Sequence, residues 1–238
     1  MNDVADLILP DDVQGHTHVD AQAQAEALTA QVATALRDAL RERGRALLVV
    51  SGGRSPVPFF QRLACEELDW AKVQVSLADE RWVAPDEPAS NEGLVRRHLL
   101  QGPAAQAAML GLYQPAANLD EAAELADQAL AGLPRIDVLV LGMGEDGHTA
   151  SLFPHSANLD EALDPACPRR VLAMQAPSEP RQRLTQTLPA LADARLSLLA
   201  IEGTAKLATL NRALHPGPAS EMPIRAFLRA PLQVHWSP

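Results

Sequence analysis

A histidine closes the glycine-rich segment Gly142-Met143-Gly144-Glu145-Asp146-Gly147-His148. An imidazole titrates near neutral pH, so it can take a proton from water or return one to a leaving group. Asp146 is a candidate to orient it, although a residue so close in the chain need not reach the ring. Three other short segments carry groups suited to an anion. Ser51-Gly52-Gly53-Arg54-Ser55-Pro56 combines a cation with two glycines that admit a ligand close to the backbone, and it would equally serve as a tight strand-to-helix turn. Asp79-Glu80-Arg81 offers a guanidinium fork matched to phosphate oxygens, with flanking carboxylates that could orient it. Standing alone, that cluster would read as solvated surface charge. Gly203 and Lys206 place an ammonium on the first turn of a helix, as a point charge for phosphate or as an ordinary surface lysine.

Several familiar chemistries lack their residues. The segment 142–147 formally matches the dinucleotide pattern GxGxxG. A following helix, however, would meet Pro154 after about two turns. The strand also lies mid-chain, and no second strand ends in an acidic ribose ligand, since Asp160, Glu161 and Asp164 fall in a loop-like stretch. The glycine loop at 51–56 has no following Gly-Lys-Ser/Thr, HExxH and GxSxG are absent, and there is no Cys/His cluster. His16 and His18 form an HxH in an irregular N-terminal stretch, while His98, His155, His215 and His235 lack companions at metal-ligand spacing. Nothing marks Ser151 as an activated nucleophile. Attack by water, with no metal and no cofactor, is the simpler chemistry.

These groups need elements to position them. The apolar runs 45–51, 73–79, 136–142, 171–176, 196–201 and 232–236 read as strands. Helical spacing predicts helices from Val19 to Arg43, ended at Gly44, from Pro58 to Leu68, from Ser90-Asn91 to Leu100, over 119–131, and over 204–214. The stretch 181–194 reads as a helix broken near Pro189. Apolar strands alternating with helices imply an α/β fold whose mainly parallel sheet is covered on both faces. In such sheets ligands bind beyond the carboxyl ends of the strands. The segments at 51–56, 79–81, 142–148 and 202–206 each follow a strand, so parallel strands would bring them to one rim.

The bulk composition is consistent with this. The chain has 238 residues, 47% of them hydrophobic and only 3% aromatic, so the core is built from Leu, Val and Ala. Net charge is -10, which speaks against a generic nucleic-acid or anionic-membrane binder and requires any anion site to be local. Cys65 and Cys167 stand far apart, as expected of reduced thiols in the cytoplasm. No signal peptide and no membrane span is expected.

In this order and spacing, SGGRSP, ADERWVAPDEPASNEG and LGMGEDGHTASLFP resemble the 6-phosphogluconolactonases, and RQRLT (181–185) and EGTAK (202–206) fit that family's later blocks. The resemblance runs from about Leu47 to Trp236, and Ser55 stands where the family more often has threonine. The glucosamine-6-phosphate deaminases share the glycine-aspartate-glycine-histidine core. They usually continue Ile-Ala-Phe-Asn-Glu and carry Asp-Glu-Tyr at the strand end. This chain has Thr149-Ala150-Ser151-Leu152-Phe153-Pro154 and Asp79-Glu80-Arg81.

The resemblance implies a Rossmann-like fold over residues 1–238 as one domain, with room for a small excursion. It implies hydrolysis of 6-phospho-D-glucono-1,5-lactone to 6-phospho-D-gluconate, with His148 as catalytic base and Asp146 as its companion. Arg81 and Lys206 would meet the phosphate, helped by Arg54 and Arg183. Asn91 would bind a sugar hydroxyl or brace the loop, and the backbone at Gly52, Gly53 and Gly144 would approach the ligand. The expected partner is a small sugar-phosphate lactone, with no nucleic acid or membrane, and the chain would be a monomer or weak homodimer. The rival readings are an amino-sugar-phosphate isomerase or deaminase, and a non-catalytic sugar-phosphate-binding protein.

Overall fold

The computed structural model describes residues 3–238. Along them run β1 (Gln14–Thr17), α1 (Ala21–Arg43), β2 (Ala46–Val50), α2 (Val57–Leu63), β3 (Val73–Leu77), β4 (Asp79–Arg81), α3 (Asn91–His98), β5 (Ala108–Leu110) and α4 (Leu119–Leu130). Then follow β6 (Val138–Leu141), α5 (Leu159–Leu163), β7 (Val171–Gln175), β8 (Gln182–Gln186), α6 (Leu188–Ala192), β9 (Leu196–Glu202), α7 (Thr204–Leu214) and β10 (Leu232–Ser237). Among the described residues no helix is long and apolar enough to cross a membrane.

Seven strands form one sheet in the order β1-β10-β9-β6-β2-β3-β5, and every neighbouring pair is parallel. All residues of β2 and β6 are buried, as continuous apolar runs require when both faces of a parallel sheet are covered. The chain builds outward from β2 through β3 to β5, then restarts on the other side of β2 with β6, β9 and β10. The order therefore reverses between β2 and β6. A crevice opens at such a point because the loops leaving the two strands diverge.

The long helix α1 packs against β2, β6 and β10. The Asp20 carboxylate accepts from Ala23 N at its start, and Gly44, at φ 71, closes its end. Leu28, Val32, Leu36 and Ala39 bury one stripe of it.

A second sheet, β4-β8-β7, is antiparallel. It corrects one expectation. Residues 181–194 are not a broken helix: the first part is β8, and Pro189 lies in the first turn of the short α6, which it starts rather than breaks. Four of the five β8 residues are buried between β4 and β7, so tertiary pairing overrides the helical propensity of Gln, Arg and Leu. The second strand is also shorter than the expected 73–79. The chain leaves the main sheet after Leu77, and Asp79-Glu80-Arg81 forms β4 of the smaller sheet. β7, at the expected position, joins that sheet too.

Further differences are local. The HxH stretch is an edge strand, β1, with no apolar residue to announce it, and β5 is an additional strand, apolar but only three residues long. α2 ends at Leu63 rather than Leu68, and α3 at His98 rather than Leu100. Residues 159–163 form a short helix. No helix starts directly after His148; Thr149 and Leu152 instead form an isolated bridge.

At the amino-terminal rim of the sheet, the buried Asp137 carboxylate accepts Leu47 N at 2.8 Å and Arg43 Nη2 at 2.9 Å. Arg195 Nε lies 3.4 Å from it. Asp137→Ala should lower the unfolding free energy by about 2 kcal/mol, because the Leu47 N–H loses its acceptor inside the sheet. Urea denaturation checks this.

Candidate active site

A cleft of about 560 Å³ opens at the carboxyl ends of the strands where the order reverses. It is lined by Gly52, Gly53 and Arg54 after β2, by Arg81 of β4, by Asn91 at the start of α3 and by Gly144 and His148 after β6. Arg183 of β8 and Lys206 of α7 complete the set. Of the residues to which the resemblance gave a site role, only Asp146 is not on the lining. It stands behind His148.

The histidine loop is closed by its own backbone. Gly144 N donates to His148 O at 2.9 Å and Gly147 N to Gly144 O at 3.1 Å. Thr149 Oγ1 donates to Gly142 O at 2.8 Å. A side chain at Gly144 would overlap the imidazole, so glycine there is a packing requirement. From α7, Thr209 Oγ1 and Arg212 Nη2 donate to Glu145 O at 3.0 and 3.1 Å, which ties the loop to the helix that carries Lys206.

Asp146 does reach the ring. Its Oδ1 takes His148 Nδ1 at 2.6 Å and His148 N at 3.0 Å. Burial pushes the Asp146 carboxyl up, but the two hydrogen bonds from His148 outweigh it, and the group stays below its ordinary value. An ionised carboxylate only accepts, so Nδ1 carries the proton, and in a neutral ring Nε2 is the nitrogen with the free lone pair. Nε2 has no partner among the described residues.

Phe153 was quoted in the sequence but given no part, and it packs beside this centre. Its ring centroid lies 4.8 Å from that of His148, and Arg183 Cζ sits 5.8 Å from the same ring. Arg183 and Arg81 are register partners across β8 and β4. Like charges directly opposite on paired strands destabilise a sheet. Arg183 is 7% exposed, and burial first, then the Arg81 charge, lowers its pKa. Each guanidinium has one local anchor: Arg183 Nε donates to Pro180 O at 2.7 Å and Arg81 Nη1 to Ala89 O at 2.5 Å. Arg54 and Lys206 make no side-chain hydrogen bond or ion pair among the described residues. Four cations thus face one cleft in an acidic chain, and a dianion would relieve their mutual repulsion.

The carboxylates beside Arg81 do not orient its guanidinium, as the sequence had suggested. Glu80 is fully buried and accepts four donors: Arg81 N, Asn91 N and Glu92 N at 2.7 Å each, and Ser90 Oγ at 3.0 Å. It therefore caps α3 from a neighbouring strand. Asp79 accepts Ser151 Oγ at 2.6 Å, and Ser151 is fully buried, so its hydroxyl is committed to packing the loop. Asn91 Nδ2 donates to Asp79 O at 2.9 Å, and its amide lies against Gly52 so closely that any side chain there would overlap it. Glu202, at the end of β9, also lines the cleft; it stood inside the quoted EGTAK block without being singled out. Among the described residues no group of three or more His, Cys, Asp or Glu side chains could hold a metal ion.

Comparisons with known proteins show what the chain is similar to. The model of the family described as glucosamine-6-phosphate isomerases/6-phosphogluconolactonase matches residues 19–236. A 6-phosphogluconolactonase of Pseudomonas aeruginosa is 60% identical over 236 residues, covering 99% of each chain. One of Pseudomonas putida is 57% identical over 235 residues, covering 99% of this chain and 97% of that one. Among solved structures, a 6-phosphogluconolactonase from Shewanella baltica superposes with a TM-score of 0.92 at 38% identity, covering 97% of this chain and 100% of that one.

Glu80 gives the cleft wall a pH dependence. Burial pushes its carboxyl up to about 7 from 4.5, against the pull of its four donors. The folded state then holds a proton that the unfolded state has lost, so this contribution to stability is full below about pH 4.5 and falls as pH rises to about 7. Relative to Glu80→Gln, the wild type should lose about 3 kcal/mol of unfolding free energy across that window. Urea titrations of both proteins at pH 5 and pH 7.5 read the difference, and parallel pH dependences would contradict it.

Proposed function

The chain belongs to the glucosamine-6-phosphate isomerase/6-phosphogluconolactonase family, and we propose that its cleft hydrolyses 6-phospho-D-glucono-1,5-lactone to 6-phospho-D-gluconate with His148 as the base. It is an enzyme of the 6-phosphogluconolactonase type, a carboxylic ester hydrolase acting in the second step of the oxidative pentose phosphate pathway. Relatives of that name at up to 60% identity along the whole chain support this activity. The observation that carries the mechanism is the 2.6 Å contact between Asp146 and His148 Nδ1, because it fixes which imidazole nitrogen is free to act.

In this mechanism Nε2 removes a proton from water as the water oxygen bonds to C1 of the lactone. The carbonyl electron pair moves onto its oxygen and forms a tetrahedral oxyanion. The N–H groups of Gly52 and Gly53 are our candidates to hold that charge. They donate to no acceptor among the described residues, whereas those of Gly144 and Gly147 are spent within the histidine loop. Collapse of the oxyanion breaks the bond between C1 and the ring oxygen, and the imidazolium returns its proton to that oxygen. The new carboxylic acid ionises at neutral pH. Arg81, Arg183, Lys206 and Arg54 hold the phosphate, and Asn91 braces the wall against Gly52. The route uses only side chains and backbone of this chain.

Residues 1–238 act as one domain in this reading, with β4, β8 and β7 as the excursion beside the cleft. The enzyme works in the cytoplasm as a monomer or weak homodimer, on a small molecule and without nucleic acid, in keeping with a net charge of -10 and two free cysteines. A deaminase on amino-sugar phosphates would release ammonia from glucosamine 6-phosphate. Arg81 and the Thr149–Pro154 run argue against it.

His148→Ala should lower kcat by roughly 10²–10⁴, the usual contribution of a general base. Acid release from freshly generated lactone, above the spontaneous rate, measures it, and an unchanged rate would remove His148 from the mechanism. Asp146→Asn should lower kcat by up to roughly 10⁴ and leave KM nearly unchanged, because the wrong ring tautomer puts the proton on Nε2 while the phosphate site is untouched.

Arg81→Ala should raise KM for the phosphorylated lactone roughly 10- to 100-fold, the loss of a charge-assisted hydrogen bond. Plain gluconolactone should be affected far less. Equal effects on both substrates would refute the phosphate assignment.

A further inference from the structure

Three histidines that the reaction does not use meet at the edge of the main sheet. His16 and His235 are register partners on β1 and β10, and their rings stack with centroids 4.7 Å apart and planes at 26°. His18 continues the strand, its N–H donating to Trp236 O at 2.9 Å. Its ring lies 5.2 Å from that of His235 at 3°, with Nε2 3.0 Å from His235 Nδ1. His235 is 3% exposed, and its Nε2 is buried with no partner.

The surroundings are polar but offer no counter-charge. From β10, Gln233 Oε1 bonds His16 Nε2 at 3.0 Å and also takes Gln31 Nε2 of α1 at 2.6 Å. Ser237, also on β10, has a buried hydroxyl without a partner. From α1, Gln24 Nε2 donates to the main-chain oxygens of His235 and Ile201. From β9, Ala200 lies in register with His235, and Glu202 in register with Ser237 turns to the cleft lining. The acids near β1 are engaged elsewhere: Asp3 with the Thr17 hydroxyl and Ala5 N, and Asp20 with Ala23 N. Among the described residues no carboxylate bonds any of the three rings.

We propose that the His16–His18–His235 stack is an acid-operated latch, in which neutral rings hold β1 and the first turn of α1 on the sheet and proton uptake releases them. A protonated His235 donates from both nitrogens. In the neutral ring that accepts from His18 at Nδ1, Nε2 already carries the proton and is buried without an acceptor, so the proton taken up must go to Nδ1, which could then no longer accept from His18. Burial first, then the neighbouring His16 and His18, pushes His235 down to about 3 from 6.5, and burial lowers His18 as well. The stabilisation is therefore whole above about pH 6.5 and is lost as pH falls toward 3. A ring that is protonated only when released raises the opening constant roughly tenfold per pH unit below 6.5.

The consequence reaches the cleft, because Ala21, Gln24 and Ala25 of α1 form part of its wall. The latch itself does not depend on the reaction assigned to the cleft, and its test reads backbone protection rather than turnover.

Hydrogen exchange followed by mass spectrometry between pH 7.5 and 5 provides that test. After correction for intrinsic exchange, protection over residues 14–24 should fall roughly tenfold per pH unit below 6.5, while β2 and β6 keep theirs. His235→Gln should retain the protection at pH 7.5 and flatten the slope. Should that variant not fold, His18→Gln, at a half-exposed position, should flatten it in part. Protection over 14–24 that ignores pH, a loss shared equally by β2 and β6, or a slope unchanged in the variant that folds would each overturn the latch.

Discussion

The outer wall of the cleft depends on one buried carboxylate. The chain leaves the main sheet after Leu77 and pairs with β8 as β4. Glu80 ties that strand to α3 by accepting Arg81 N on its own strand, then Ser90 Oγ, Asn91 N and Glu92 N at the start of α3. One side chain thus sets the angle between β4 and α3 and satisfies helix-terminal N–H groups that would otherwise be orphaned. Asn91, held in this way, lies flat on Gly52 and bonds Asp79 O, so the glycine loop after β2 is pinned to the same point. The start of α3 and the closeness of Gly52 to Asn91 both lean on this buried acid.

That arrangement bears on how an acidic chain could hold the phosphate proposed for its cleft. With a net charge of -10, the long-range field opposes a phosphate ester, so attraction must be short-ranged. Opposing Arg81 and Arg183 across β4 and β8 concentrates charge where the strands themselves would resist it. The cost is tolerated because each guanidinium keeps a carbonyl partner, and Phe153 covers one side of Arg183. An incoming dianion then gains both its own hydrogen bonds and relief of that repulsion.

The sequence showed more of the site than of the fold around it. The four strand-end segments were visible because chemistry at a parallel-sheet rim needs glycines, cations and a histidine just after apolar runs. What stayed hidden depends on pairing between distant segments. Residues 182–186 contain good helix formers and become a strand only because β4 and β7 bury them. Glu80 looked like an orienting partner of Arg81, since local spacing cannot show that its acceptor sites are filled from a loop ten residues on. His16 and His18 looked irregular until β10 supplied the edge and His235 the third ring.

The histidine is held by its loop. Its side chain is about a third exposed and that of Asp146 nearly half. Rigidity comes from the loop. Gly144 and His148 close it by a backbone bond, Thr149 bonds back to Gly142, and α7 holds Glu145 from outside. Within that frame Asp146 needs only to choose the nitrogen that carries the proton, and a side chain two residues away can do so because Gly144 leaves room for the ring to turn toward it. The glycine pattern that resembles a dinucleotide fingerprint serves this purpose here: it makes space for an imidazole where that fingerprint makes space for a pyrophosphate.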